Sequence, residues 1–89
     1  MLLLVKVLFA VYGALRGGNQ DNTEAAIVTG ALQTAINNSP HGNGVVTINN
    51  ANMGGDPAVG VQKHFGAIVE VDGVARPFAC LENQTIDFT

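Results

Sequence analysis

The stretch from Asn50 to Gly60 carries the side chains best suited to recognising a ligand. It contains three glycines and two asparagines, and a loop of this length in so small a domain is usually functional. Asn52 and Asp56 offer amide and carboxylate groups, and Gly55 adds a backbone donor. Sugar hydroxyls both donate and accept hydrogen bonds, so this mixture fits a sugar site. Alternatively, the Asp-Pro pair forms a turn in which Asp56 bonds its own backbone.

Two further pairs of residues extend this candidate site. Lys63 and His64 follow the loop and would contact an anionic group together, or else they mark a solvated strand end. Tyr12 and Arg16 lie near the end of the first apolar segment, where a tyrosine ring either stacks on a sugar or belongs to the core or an interface. The candidate ligand-binding residues are therefore Asn52, Gly55, Asp56, Lys63, His64, Tyr12 and Arg16.

The residue types needed for catalysis or metal binding do not cluster in this sequence. None of the seven acidic residues forms a local acid–base pair, and the Gly54-Gly55 pair is not followed by Gly-Lys-Ser/Thr as in a phosphate-binding loop. Cys80 reads as a small buried hydrophobe with no base beside it, and His41 as an exposed turn residue. One cysteine and two histidines cannot supply four zinc ligands. The sequence therefore predicts a non-enzyme without cofactor or metal.

Composition limits the architecture and the partners. Eighty-nine residues, 47% hydrophobic and 12% charged, indicate a single folded domain over residues 1–89. Only four residues are Lys or Arg, they are scattered, and the net charge is −3, which argues against nucleic-acid binding. A chain this small has a thin margin of stability, and its single cysteine excludes an internal disulfide. Oligomerisation, most simply a symmetric dimer, is the expected source of further burial.

Tyr12 and Arg16 are positioned by the first predicted strand and the turn after it. Residues 2–12 are apolar on both faces except at Lys6, as in a central strand covered on two sides, or on one side and at an interface. A helix is predicted next, with Asp21 as N-cap and Glu24 completing a capping box, and it ends before Pro40. Its predicted core stripe is Ile27, Val28, Ala31, Leu32, Ala35 and Ile36.

The second half of the chain predicts strands. Residues 45–49 and 84–88 each read as a short strand, and Asp72-Gly73 predicts a two-residue type I′ hairpin turn between strands 65–71 and 74–80. Pro77 places the second hairpin strand at a sheet edge. The predicted core face of the hairpin contains Phe65, Ala67, Val69, Val71, Val74 and Phe78. The fold class is therefore α+β, a small antiparallel sheet or sandwich of about five strands with one helix, in the order β-α-β-β-β-β.

The apolar amino terminus admits two interpretations. Residues 1–11 have the length of a leader's apolar region, but no basic residue precedes them and Lys6 interrupts them, which favours a strand of the mature protein. The run is too short to span a bilayer, so no membrane insertion is expected. We expect a cytoplasmic or non-classically secreted protein.

Several short segments in this order resemble a known group of proteins. They are Tyr12-Gly13-Ala14, Val28-Thr29 with Leu32, Ile48-Asn49-Asn50, Gly55-Asp56-Pro57-Ala58-Val59-Gly60 with Lys63, the Gly73 hairpin, and Glu82-Asn83-Gln84-Thr85-Ile86. This order resembles a widespread small β-rich domain and the small mushroom lectins of about this size. The similarity spans most of the chain, with the Gly-Asp-Pro loop as its specific part. It implies glycan binding, a homodimer and synthesis without a leader.

The sequence supports two main functional hypotheses. The first is a lectin that binds cell-surface or microbial glycans through the Gly/Asn-rich loop. The second is a protein-interaction module or inhibitor that acts through an edge strand or the exposed loop. A membrane-active defence protein, suggested by the apolar amino terminus, is a third and weaker hypothesis.

Overall fold

Strand and helix bounds come from a computed structural model that describes residues 4–14 and 24–89. The elements are β1 (Val5–Gly13), β2 (Ala25–Ile27), α1 (Thr29–Asn37), a 3-10 turn (Pro40–Gly42), β3 (Val45–Thr47), β4 (His64–Val71), β5 (Val74–Leu81) and β6 (Thr85–Asp87). Four strands form one antiparallel sheet in the order β2-β1-β4-β5, and β3 pairs with β6 in a second, two-stranded sheet. The predicted α+β class is confirmed, with one strand more than expected at β2.

A bulge in β1 decides which of its side chains reach the core. The pairing with β4 shifts between Val7 and Phe9, so the inward alternation resumes at Ala10 and continues at Tyr12. Leu8 and Phe9 consequently both point away from the core. Strand β1 is central in the sheet, as predicted, and residues 4–14 and 24–89 cover only one of its faces.

The hairpin of β4 and β5 forms as the sequence predicts. Asp72 and Gly73 have φ angles of 50° and 86°, as a type I′ turn requires, and Val71 pairs with Val74. The inward residues of β4 are all buried. The placement of Val74 in the core is wrong, because this residue lies at the hairpin tip and is 54% exposed.

Strand β5 is an edge strand, as Pro77 predicted. The pair beside a type I′ turn is hydrogen-bonded, so the backbone groups of Ala75, Pro77 and Ala79 point away from β4. Proline lacks the amide hydrogen, so it interrupts the row of donors on this free edge.

The predicted start of the helix is wrong. Residues 25–27 form β2 against β1, and α1 begins at Thr29 after Val28. Ile27 is 74% exposed and does not belong to the helical core stripe, whereas Leu32 and Ile36 are buried as predicted. The predicted N-cap, Asp21, lies outside the described residues.

Pairing with β1 explains why the segment before α1 is a strand. Ala14 N donates to the Glu24 carbonyl at 2.8 Å, and a side chain at Gly13 would collide with that carbonyl oxygen. Glycine at this position therefore allows β2 to approach closely. Hydrogen bonding between β1 and β2 thus outweighs the capping box predicted at Glu24, because local helix propensity is easily overridden by tertiary contacts.

Helix α1 continues along the edge of β1 where β2 ends. The Gln33 side chain accepts a hydrogen bond from Val7 N at 2.8 Å and donates to the Val5 carbonyl at 3.1 Å. Thr29 Oγ1 accepts one from Ala10 N at 3.1 Å. Side chains of the helix thus satisfy backbone groups that would otherwise lie unpaired at a sheet edge.

The buried side chains form one cluster between the large sheet, the helix and the β3–β6 pair. Phe88, which follows β6, is fully buried and packs against Phe65 and Phe78 with ring centroids 6.5 and 4.8 Å away. These tilted contacts are the geometry that aromatic pairs prefer. The second sheet is therefore joined to the first through its aromatic end.

Candidate functional site

Residues 50–60 form an irregular loop of turns, as predicted, at the end of the sheet where β4 begins and β5 ends. Its first turn closes through Met53 N to the Asn49 carbonyl and Gly55 N to the Asn50 carbonyl, both at 2.9 Å. Met53 and Ala58 are buried and anchor the loop, while Gly54 and Gly55 between them are exposed. The loop is thus partly a support and partly an accessible surface.

A buried lysine holds the loop to the sheet. Lys63 is only 3% exposed, and its Nζ lies 2.6 Å from Asp56 Oδ1 and 3.7 Å from Glu82 Oε1. Glu82 also accepts a hydrogen bond from Lys63 N at 3.0 Å. Lys63 is therefore not at a solvated strand end, which corrects that interpretation of the sequence. We call this group, Asp56, Lys63 and Glu82, the ion cluster.

Glu82 was not among the seven candidate ligand-binding residues predicted from the sequence. It lies 19 positions after Lys63 and 26 positions after Asp56, so no local spacing in the sequence marks it as their partner. The available signal was its position one residue after β5, at the same sheet end as Lys63. A carboxylate beside a buried lysine is required because an unpaired buried charge is costly.

Asp56 has a structural task whether or not it binds a ligand. Its Oδ1 accepts a hydrogen bond from Ala58 N at 3.1 Å, the turn geometry left open by the sequence. The hydrogen bond from Lys63 lowers the pKa of Asp56 below its usual value, opposed in part by desolvation and supported by the Ala58 bond. Asp56 is therefore a carboxylate near neutral pH.

Tyr12 lies in the core, one of the two positions that the sequence left open. It is fully buried, and its hydroxyl donates to Asn50 Oδ1 at 2.7 Å. Burial, together with the negative charges of Glu82 and Asp56, raises the pKa of Tyr12 to about 12. Its ring face is not open to solvent, so its direct role is to fix the first turn of the loop.

A recess of about 320 Å³ opens between β2 and the loop. It is lined by Tyr12, Ala26, Ile27, Val28, Met53, Gly54, Gly55, Asp56 and Pro57. Polar and apolar groups line it about equally, with apolar side chains from β2 and the loop on one part and the peptide groups of the two glycines with the Asp56 carboxylate on the other. This volume is at the lower end of the range for small-molecule pockets.

The recess gathers three of the seven predicted site residues, Tyr12, Gly55 and Asp56, with Lys63 directly behind Asp56. Asn52 lies on the other side of the loop, in a groove facing α1, and its Nδ2 donates to the Thr47 carbonyl at 2.7 Å. Arg16 lies outside the described residues.

His64 is separated from the recess by the sheet. It begins β4 next to Gly13 and Leu81, on the face opposite to the core residue Phe65. Its Nδ1 is buried without a hydrogen-bond partner among residues 4–14 and 24–89. The structure thus does not bring His64 and Lys63 together on one surface.

Other groups with chemical potential lie elsewhere. A cleft of about 500 Å³ between β5 and the chain end is lined by Arg76, Pro77, Phe78, Asp87, Phe88 and Thr89. Cys80 is half-buried, and burial raises the pKa of its thiol, which lowers the fraction of reactive thiolate. Within the described portions of the chain, no three His, Cys, Asp or Glu side chains are placed to share a metal ion.

The comparisons with known proteins add no relative. No family model, no curated protein and no solved structure matches this chain. No helix in the residues described has the length and apolar character needed to cross a bilayer. The chemistry of the recess is therefore the basis for assigning a function.

Proposed function

We propose that this protein binds carbohydrate without catalysis, and that one sugar unit occupies the recess between β2 and loop 50–60. The observation that carries the proposal is the combination of an apolar wall with exposed peptide groups and a carboxylate in one recess. The likeness to small mushroom lectins in segment order agrees with this proposal.

The lining fits the two sides of a sugar ring. Hydroxyl groups both donate and accept, so they pair with the peptide group of Gly54, the carbonyl of Gly55 and the carboxylate of Asp56. The Gly55 N–H, which the sequence offered as a donor, is already bonded to the Asn50 carbonyl. The less polar C–H side of the ring packs against the half-buried Ala26 and Pro57. A charged carboxylate strengthens each hydrogen bond that it accepts.

The loop is held in place before a ligand arrives. The ion cluster fixes its second half, and the Tyr12–Asn50 hydrogen bond fixes its first turn. Preorganisation lowers the entropy lost on binding, which matters for a shallow site that makes few contacts. We therefore expect weak binding by a single site with little movement of the loop.

A glycan array followed by calorimetry on the best glycan tests the proposal, and the same glycan then tests the recess. Gly55 lines the recess and no atom lies within 4 Å of a Cβ built there, so a leucine at this position has room to occupy the space beside the loop. We expect Gly55→Leu to reduce affinity at least tenfold, which corresponds to about 1.4 kcal/mol.

Gly60→Leu is the matched control. Gly60 also has positive φ and open space around its Cβ, but it does not line the recess. Its substitution also places a leucine at a positive φ, and circular dichroism should show the same fold for both variants while only Gly55→Leu loses affinity. Absence of binding to every glycan and bacterial polysaccharide would overturn the proposal.

The alternative, a protein-interaction module, predicts a different result. A tight protein partner that free sugars do not displace in a pull-down would favour it. The edge of β5 is poorly suited to adding a partner strand, because Pro77 interrupts its donors. Such a partner would have to use the exposed loop or another surface.

A further inference from the structure

The large sheet has an apolar face that no described residue covers. The core, the helix and the second sheet lie on one side, and on the other side Leu8, Phe9, Val11, Ile27 and Ile68 are all exposed. We call this side, which also carries Pro77 and Ala79, the outer face. Contiguous apolar patches of this kind mark interaction surfaces.

The bulge in β1 enlarges this patch. Without a register shift, Leu8 and Phe9 would point to opposite faces. With the shift between Val7 and Phe9, both are exposed on the outer face, and neither joins the core. A bulge that exposes two large apolar side chains is costly to a chain that remains alone in water.

On the outer face, the side chains of β1 and β2 are large, and some of those on β4 and β5 are small. One cross-strand row runs from Ile27 on β2 to Val11 on β1, then to Gly66 on β4 and Ala79 on β5. Two branched side chains thus stand beside two positions with little or no side chain. A surface whose projections and hollows lie side by side can fit a copy of itself.

The two halves of the outer face, β1 with β2 and β4 with β5, also carry opposite charges near the hairpin end. Lys6 on β1 and Glu70 on β4 are cross-strand neighbours, at the hairpin end of the outer face. Each sits on a different half of the patch. A second copy turned so that its halves are exchanged would place lysine opposite glutamate twice.

We propose that the outer face binds the outer face of a second copy of this chain, about a twofold axis parallel to β1 and β4 and midway between them. Each β1 then faces the β4 of the second copy, so that Val11 projects toward Gly66 and Lys6 toward Glu70. Sheets that pack in this way are aligned within about 30° and lie about 10 Å apart. The patch is small, so the dimer has a dissociation constant in the micromolar range, on the order of 1 to 100 µM.

This arrangement has a consequence that rests on the proposed function. An axis parallel to the strands keeps the same ends of the two sheets together, so both copies of loop 50–60 lie at one end of the dimer. Two recesses that face the same way can bind one glycan-bearing surface at once. Avidity then compensates for the weakness of each single site.

Sedimentation across a concentration series without glycan tests the interface itself. The wild type should pass from monomer to dimer in the micromolar range, and Ile68→Lys should remain monomeric. Val59→Lys is the matched control, because Val59 is another exposed branched residue but lies on the loop. A wild type that is monomeric at all concentrations, or an Ile68→Lys variant that dimerises normally, overturns the proposal.

Charge reversal tests the orientation. Lys6→Glu or Glu70→Lys alone should weaken self-association at least fivefold, because each places like charges opposite one another twice. Mixing the two single variants should restore dimers, since both contacts then pair opposite charges. Failure of the mixture to associate would rule out this axis.

The glycan measurements separate this proposal from the proposed function. Ile68→Lys should keep the affinity of the wild type for a soluble monovalent glycan and lose at least tenfold on a glycan-coated surface. A wild type that dimerises but binds no glycan would refute sugar binding and leave the interface standing. A glycan-binding wild type that never dimerises would do the reverse.

Discussion

At the end of the sheet nearest loop 50–60, a lysine is buried, whereas on the outer face of the same sheet a phenylalanine and two isoleucines are exposed. Lys63 has two carboxylates within 4 Å, and Tyr12 has a hydrogen-bond acceptor for its hydroxyl. Phe9 and Ile68 have no covering layer in the described parts of the chain. The buried polar groups of Lys63 and Tyr12 thus have partners, whereas the apolar side chains of Phe9 and Ile68 remain exposed to water.

This contrast distinguishes side chains that stabilise the fold from side chains that are accessible to a ligand or partner. A buried charge with its partners is already committed to the fold, so Lys63 holds the loop and does not present itself to a ligand. An exposed apolar side chain gains free energy only when something covers it. Lys63 and Tyr12, which the sequence offered as binding residues, therefore support the fold, whereas Phe9 and Ile68, which looked like core residues, are exposed.

Removing the buried charge should have the largest effect. Lys63→Met leaves Asp56 and Glu82 without their cation, and breaking a buried pair in this way is strongly destabilising. We expect the free energy of unfolding to fall by about 3 kcal/mol in urea denaturation.

Arg76→Met is the control for this change. Arg76 is exposed and has no ion pair with any residue that the structure describes. Its replacement should alter stability by less than about 0.5 kcal/mol. Equal effects of the two substitutions would show that Lys63 is not a buried support.

Threonine substitutions at two adjacent residues of β4 compare the stability contributions of the two sheet faces. Val69 is fully buried and Ile68 is on the outer face, so the same threonine places a hydroxyl in the core or in water. Val69→Thr should cost about 2 kcal/mol because the hydroxyl is desolvated, whereas Ile68→Thr should cost less than about 0.5 kcal/mol. Urea unfolding at concentrations well below dimerisation measures both, and a large cost for Ile68→Thr there would mean that the outer face is covered within one chain.

The Tyr12 hydroxyl should contribute a smaller amount. Tyr12→Phe leaves Asn50 Oδ1 without its donor and should lower the free energy of unfolding by about 1 kcal/mol. Because the folded-state pKa is raised from 10.0 to about 12, the wild type has full stability from this group below pH 10 and loses it as the pH rises toward 12.

The alkaline step can be followed without interference. The chain has one tyrosine and no tryptophan, so the near-ultraviolet phenolate band reports Tyr12 alone. Its absorbance should rise together with the loss of folded circular dichroism. Ionisation near pH 10 in a fully folded chain would show that the hydroxyl is not buried.

Acid sensitivity should show the smallest effect. The hydrogen bond from Lys63 lowers the pKa of Asp56, so this carboxylate stabilises the fold above its unfolded pKa, and the contribution is lost as the pH falls through the folded value. Asp56→Asn should flatten this acid limb in urea midpoints measured below about pH 4. Asp87, whose pKa is also lowered by its bonds from Thr89, keeps part of the slope in this variant. An unchanged slope would contradict the pairing with Lys63.

The elements that follow from neighbouring residues were predictable from the sequence. Asp72-Gly73 determines the hairpin turn and its register, Pro77 marks the sheet edge, and the glycines of residues 50–60 exclude regular structure. Each of these signals acts through the backbone angles or donors of the residue itself, so it does not depend on distant contacts. The α+β class follows from the same local patterns.

Only the tertiary structure decided the start of the helix, the burial of Lys63 and the exposure of one sheet face. The capping signal at Glu24 lost to pairing with β1, and the ion cluster joins residues that are distant in sequence. The bulge at Leu8 changed the alternation of β1, and residues 7–11 are all apolar, so no periodic pattern in the sequence reveals the change. Pairing, burial and register are set by what lies across the fold, and local sequence does not contain that information.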